Sequence, residues 1–338
     1  MITIPYKLTA TQVLKLLKNK AITVETYARS LLDRINENDG TVKAWVYLDP
    51  DFVLSQAQAL DQIPDDQRGP LHGLAIGIKD NMKTKDMPTQ YGSPIYQGHQ
   101  PGSDSSAVAI LRPAGALIFG KTTTTEFAVT NSGPKTTNPH DPNRTPGGSS
   151  CGSAAAVANL QKAFAPTFDT FGFFGRSVED LQLLVDVFDL KDDEHPKDAS
   201  LEEISVALIK TPMWPSAGPG TVSAINKAVS ILKRSNIKVE EVSFPPEFAD
   251  VGPWSASKKS SSSVKHRERM EASDKYSKTR DTINDLAKNY TAILTPSAVD
   301  EALLGLDDMG EATFNTLWTA SASLITAQIP RPAAPKDK

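Results

Sequence analysis

Stretches with the 3.6-residue period of amphipathic helices alternate with short apolar runs of strand character along most of the 338 residues, and this alternation constrains the fold more than any other feature. Thr9 followed by Gln12 has the form of a capping box, and Val13, Leu14, Leu16 and Leu17 then supply an apolar face at helical spacing. A second helix is expected to start at Thr23 and to bury Tyr27, Leu31 and Ile35. The run "LHGLAIGIKDNM" mixes short apolar residues with glycine, as a buried strand does where backbone or ligand must approach closely. A helix from Ser106 is expected to break near Pro113, ahead of a strand from Ala116 to Phe119. "EISVALIK" and "KVEEVSF" read as two further strands bracketing a helix from Thr221 to Arg234. Helices then cover both faces of a sheet, and the expected class is an α/β layered fold.

Charge and cysteine usage narrow the function classes. A net charge of -4 with no run of Lys and Arg provides no basic field for nucleic acid and no membrane-surface patch, which leaves a small molecule or another protein as partner. The single cysteine, Cys151, excludes an internal disulfide and fits a reducing compartment. No apolar stretch approaches the ~20 residues of a membrane span, and residues 1–20 lack the apolar run of a secretory signal, so the expected setting is soluble and cytoplasmic. The whole of 1–338 is expected to form a single domain, with 190–203 and 255–268 flexible and 330–338 a disordered tail.

Two features carry chemistry. In "RTPGGSSCGSAAAVA", Gly147, Gly148 and Gly152 interleave with Ser149, Ser150 and Ser153 before a helix begins. Glycines let backbone amides turn toward a bound oxygen, and hydroxyls on such a turn can relay protons or attack a carbonyl, although a flexible serine-capped loop would read the same way. The second feature is Lys79 in "AIGIKDN". A lysine on an apolar strand either snorkels to solvent or loses its charge and becomes a base. None of His72, His99, His140, His195 and His266 sits in a nucleophile motif, and a serine site without histidine needs a base such as lysine.

"GPLHGLAIGIKDNM", "ILRPAGALIFGKTTTTEFA" and "NPHDPNRTPGGSSCGSAAAVA", followed in order by "DTFGFFGRSVEDLQLL" and "YTAILTPSAVDEA", resemble the amidase signature family from about Gly69 to Ala302. The resemblance implies a layered α/β fold with a mixed central sheet flanked by helices, and hydrolysis of C–N amide bonds by a Ser-cisSer-Lys triad without metal or other cofactor. It places the lysine at Lys79 and the relay serine, preceded by a cis peptide, at Ser149. A small amide is then the expected ligand, with residues that bind it unassigned.

The family nucleophile stands in a second segment of the form Thr-Asp-x-Gly-Gly-Ser, and no such segment is present: Gly147 to Ser149 is the sole Gly-Gly-Ser in the sequence. After "AAAVANLQ" the chain runs from Gln161 straight into "KAFAPTFDTFGFFGRS". The region past Trp254 and the end past Trp318 are also shorter than in the family, so the fold is expected to be a truncated one with catalysis lost. The alternatives are an active amidase whose substitute nucleophile would have to come from Ser150, Cys151 or Ser153, or a non-catalytic protein that binds amides or a partner protein. Asp80 could orient Lys79 through an ion pair, Arg144 could hold the serine loop through carbonyl bonds, and Thr122 to Glu126 would lie near the site.

Overall fold

The computed structural model describes residues 4–130, 133–160, 165–167, 172–190, 199–244, 281–315 and 317–318. The expected flexible and disordered segments fall outside them at 191–198, 255–268 and 330–338. The described residues group into two compact units, one within Met1–His195 and Ala302–Gly310, the other within Pro196–Glu301 and Glu311–Lys338.

In the first unit, the starts of the first two α-helices are fixed by side chains. Helix α1 (Ala10–Lys18) begins with the expected capping box, in which Thr9 and Gln12 bond each other's backbone N–H. Its first amides also donate to the buried carboxylate of Asp180, from Ala10 at 3.1 Å and Thr11 at 3.0 Å. Helix α2 (Val24–Val42) is capped by Thr23 and buries Tyr27, Leu31 and Ile35 as the spacing required. The carboxylate of Asp61 adds acceptors for the amides of Val24 at 2.7 Å and Glu25 at 3.0 Å. Both carboxylates sit where the helix dipole favours negative charge and where the first amides lack partners of their own.

Strand β1 (Trp45–Tyr47) and helix α3 (Pro50–Asp61), whose last residue is that Asp61, precede strand β2 (Ala75–Lys79). Helix α4 (Ser106–Leu111) stops ahead of Pro113, and strand β3 (Leu117–Thr122) follows, running three residues beyond the expected Phe119. The sheet order is β1-β3-β2, with β1 antiparallel and β2 parallel to β3. All six residues of β3 and all five of β2 are buried, which is why both read as nearly continuous apolar runs. At Gly120 a side chain would collide with the Tyr47 carbonyl oxygen, 2.7 Å from a Cβ there, so glycine permits the irregular pairing of β1. Ile76 and Ile78 of β2, Leu117 to Phe119 of β3 and the buried face of α2 share one core cluster. Each such side chain contributes about 1.5–3 kcal/mol on burial.

Helix α5 (Cys151–Ala158) comes next, then strands β4 (Ala165–Thr167) and β5 (Gly172–Phe174), paired antiparallel. The backbone of β4 lies beside β2 and α5. Helix α6 (Val178–Val187) carries the Asp180 that caps α1, and so ties the two ends of this stretch together.

The second unit is a parallel sheet of strands β6 (Ser205–Lys210), β7 (Lys238–Ser243) and β8 (Ala292–Leu294) in the order β7-β6-β8. Helix α7 (Pro219–Arg234) makes the crossover from β6 to β7, starting at Pro219 rather than at the expected Thr221. Asp300 receives the amide of Gly220 at 2.8 Å in the first turn of α7. The core gathers Ala207, Ile209, Ile283, Leu317 and Trp318, with Phe244 edge-on to the indole. The mixed α/β class expected from the sequence is the one observed, with its strands distributed over small sheets.

Candidate active site

Lys79 is the last residue of β2 and is fully buried. Its Nζ donates to Ser149 Oγ at 2.8 Å, bringing together two residues 70 positions apart. Ser149 belongs to the loop between β3 and α5, and the Gly148–Ser149 peptide is cis. Gly147 has φ +78°, in the left-handed region open to glycine at little cost. The Ser149 carbonyl accepts from the Thr125 amide at 3.2 Å, so the "TTTTE" segment holds the loop from behind.

Helix α5 can lie directly on β3 because residue 152 is glycine. Its amide donates to the Thr123 carbonyl at 3.2 Å. A side chain there would run into the Ala44 carbonyl oxygen and the amide and hydroxyl of Thr123. Ser153 is buried and shares a 2.7 Å hydrogen bond with Thr122 of β3. Thr123 Oγ1 pairs with Thr136 Oγ1 at 2.7 Å, and Thr136 Oγ1 donates to the Lys43 carbonyl at 2.8 Å. Cys151 is also buried, and burial pushes its thiol up, opposed by hydrogen bonding from Thr123 and the Gly152 amide. A thiol held protonated is a poor nucleophile. Of the three substitutes considered, Ser153 is thus engaged with the sheet and Cys151 is turned inward, while Ser150 occupies the N-cap position of α5 at the partly buried rim without a side-chain capping bond.

Two expectations are corrected. The Asp80 carboxylate receives the amides of Gln90 at 3.1 Å and Gly92 at 3.4 Å and faces Lys121 Nζ at 3.9 Å. Asp80, the first residue after β2, thus directs its carboxylate toward Lys121 and the 90–92 turn, while Lys79 donates to Ser149. The Arg144 guanidinium donates to the Ala302 carbonyl and to Asp141, rather than to the serine loop. It does so as part of a wider attachment of 302–310. The Thr145 amide donates to the Leu303 carbonyl at 3.0 Å, Thr145 Oγ1 to Met309 Sδ at 3.0 Å, and the Gly305 amide to the Asn143 carbonyl at 2.8 Å. Met309 packs on Gly148, beside Ser149.

Lys121 was not singled out in the sequence, although "LIFGKT" offers the same signal as "AIGIK", a lysine inside an apolar strand. It is fully buried on β3, and its Nζ donates to the Met82 carbonyl at 2.7 Å, Thr89 Oγ1 at 2.6 Å and Thr84 Oγ1 at 3.3 Å. Burial pulls its amine down to about 8 against the attraction of Asp80. Burial likewise raises the Asp80 carboxyl, with Lys121 and the two amides opposing it. The pair braces the turn at 90–92 behind the site.

Residues 27–166 match the model of the family described as Amidase. A glutamyl-tRNA(Gln) amidotransferase subunit of Microcystis aeruginosa is 30% identical over 335 residues, covering 78% of this chain and 69% of the relative. The chain belongs to the amidase family. The same amidotransferase subunit from Acidothermus cellulolyticus is 40% identical over 172 residues, covering 48% of this chain and 34% of that one. The one from Thermobifida fusca is 32% identical, with 64% and 55% covered. This amidase-family chain therefore spans between a third and somewhat over half of those two relatives. Solved structures share the fold. Fatty acid amide hydrolase superposes with a TM-score of 0.79 at 19% identity, covering 94% of this chain and 72% of that one. The peptide amidase of Stenotrophomonas maltophilia gives 0.71 at 22%, with 94% and 90% covered. No helix among the described residues is long and apolar enough to cross a membrane.

Proposed function

We propose that this chain retains the proton-relay half of an amidase site, Lys79 as base and Ser149 as relay, on a fold that accepts a small amide, and that it does not hydrolyse amides because the nucleophile segment is missing. The observation that carries this is the 2.8 Å Lys79–Ser149 pair in a chain whose sole Gly-Gly-Ser already belongs to that loop. In the family's amide hydrolysis the relay serine and the base act on a third group that attacks, and that attacking hydroxyl and its oxyanion donors belong to one segment of the family pattern. Losing a single such donor typically costs on the order of 10²–10³ in rate. The extent of the match with the Microcystis relative supports an internal loss: it runs over 335 residues but takes up 78% of a 338-residue chain, so roughly 70 of its positions have no residue here. The engaged Ser153 and the raised thiol of Cys151 argue in the same direction, since neither is poised to substitute.

The ligand under this proposal is a small amide. The net charge of -4 argues against nucleic acid as a partner, and the lone cysteine suits the cytoplasm. The test is turnover of simple aryl amides by the purified chain, with release of the arylamine followed over hours. No hydrolysis above the buffer rate is expected. Turnover that disappears in Lys79→Ala would show that the site has been rebuilt and that the proposed loss is wrong.

A further inference from the structure

We propose that Ser149 is itself a nucleophile toward activated acyl donors, aryl esters in particular, with Lys79 as its base. This role rests on the proposed absence of the family nucleophile, and on the direct donation from Lys79 to the Ser149 hydroxyl. The separation of 2.8 Å is within the range in which a proton passes between base and attacking group.

The surroundings of Ser149 supply what an attacking serine needs. It lies on a sharp turn one residue ahead of Ser150, the cap of α5, in the order turn, serine, helix. Serine hydrolases place a nucleophile at such a turn, and stabilise the developing oxyanion with the amide of the serine itself or of the residue after it. Among the described residues the amides of Ser149 and Ser150 donate no hydrogen bond, whereas the neighbouring Gly147 and Gly152 amides are both engaged. The first turn of α5 adds the positive end of its dipole on the same side. A reagent can reach the turn: Ser149 and Ser150 are only partly buried, and a Cβ built on Gly147 meets no atom within 4 Å.

The step balances without any group beyond those named. With Lys79 neutral, the hydroxyl proton of Ser149 passes to Nζ as Oγ bonds to the ester carbonyl carbon. The carbon–oxygen bond to the aryl group breaks, aryloxide leaves with the bonding pair, and acyl-Ser149 remains beside an ammonium Lys79. An amide is a much poorer substrate for this step, because its amine departs only once protonated, whereas aryloxide leaves as the anion.

The experiment uses the full chain and p-nitrophenyl acetate. The expected result is a burst of p-nitrophenolate of up to one equivalent per chain, faster at higher pH, with the acetyl group mapped by peptide mass spectrometry to Ser149. Ser149→Ala should abolish the burst, and Lys79→Met, which fills the same buried space without a base, should slow it by roughly 100-fold. If either variant fails to fold, mapping on the wild-type chain decides. Acetylation of Ser150, Cys151 or a lysine in place of Ser149, no adduct at all, or a burst unchanged in Lys79→Met would overturn the role. Aryl-amide turnover contradicts the proposed function alone, so the two can fail separately.

Discussion

Gly152→Ala is the substitution whose sign the structure fixes most sharply, because two effects of known size oppose each other. Within a helix, replacing glycine by alanine ordinarily stabilises by about 0.5–1 kcal/mol through the lost freedom of the unfolded chain. At residue 152 the added methyl group would fall on the Ala44 carbonyl oxygen and on the amide and hydroxyl of Thr123. Two of those three atoms are backbone in the sheet and the loop leading into it, so relief requires α5 to move off β3, breaking the 3.2 Å bond from Gly152 to Thr123. Overpacking of this kind costs roughly 1–3 kcal/mol, and with rigid neighbours the upper half of that range applies. The net expectation is a loss of about 2 kcal/mol, equivalent to a roughly 30-fold fall in amide protection. Gly40→Ala is the control. Gly40 lies in α2, exposed, with nothing within 4 Å of a built Cβ, and should gain up to about 1 kcal/mol. Hydrogen exchange of the β2 and β3 amides reads the first unit without contribution from the second. Equal protection in the two variants, or higher protection in Gly152→Ala, would refute the claim that close contact of α5 with β3 sets the position of the serine loop.

Three further outcomes follow from the same geometry. Lys121 titrates near 8 in the folded chain, below its ordinary 10.5, so across that window the unfolded chain binds the proton that the folded chain has released, and stability rises with pH. Urea midpoints at pH 7 and pH 10 should show this gain in the wild type and lose it in Lys121→Met. A gain of the same size in the variant would remove Lys121 as its source. Asp180→Ala removes the acceptor for the Ala10 and Thr11 amides and should cost about 1–2 kcal/mol, while Asp180→Asn keeps one oxygen and should cost less. Exchange rates of those two amides give the comparison, and equal losses would contradict a capping role. Arg144→Ala gives up the bonds to Ala302 and Asp141 and should speed limited proteolysis within 302–310. Cleavage at the wild-type rate would mean that Thr145 and Met309 hold the segment without it.

What could be read from the sequence was whatever repeats over a few residues. The capping box at Thr9, the buried face of α2 and the apolar runs of β2, β3 and β6 all carry their period locally, and each was found close to its expected place. Strands of three residues, β1, β5 and β8, are too short to display a period. The pairing of Lys79 with Ser149 crosses 70 residues, and nothing in either segment alone points to the other. Only the family resemblance joined them, and the fold brings them to 2.8 Å.

Asp80 and Lys121 show where local reasoning failed for a physical cause. An acid next to a base in sequence suggests an ion pair, but here the base ends the strand and the acid opens the turn after it, where it finds its base one strand over. Ile78 is the β2 partner of Lys121 in the register, so the residue after Lys79 and the buried amine meet across the ladder by geometry alone. Had the rule that singled out Lys79, a lysine in an apolar strand, been applied to both parallel strands, it would have found two buried amines on neighbouring strands. The alternation of faces would then have divided them, one toward the serine loop for chemistry and one toward Asp80 to brace the turn at 90–92. The two lysines differ in what they meet: Lys79 reaches a serine at the partly exposed rim, and Lys121 reaches a carbonyl, two threonines and a carboxylate, all of them buried. A buried amine that donates to a hydroxyl at a partly exposed rim can pass a proton to or from it, and for that reason the nucleophile test is directed at Ser149.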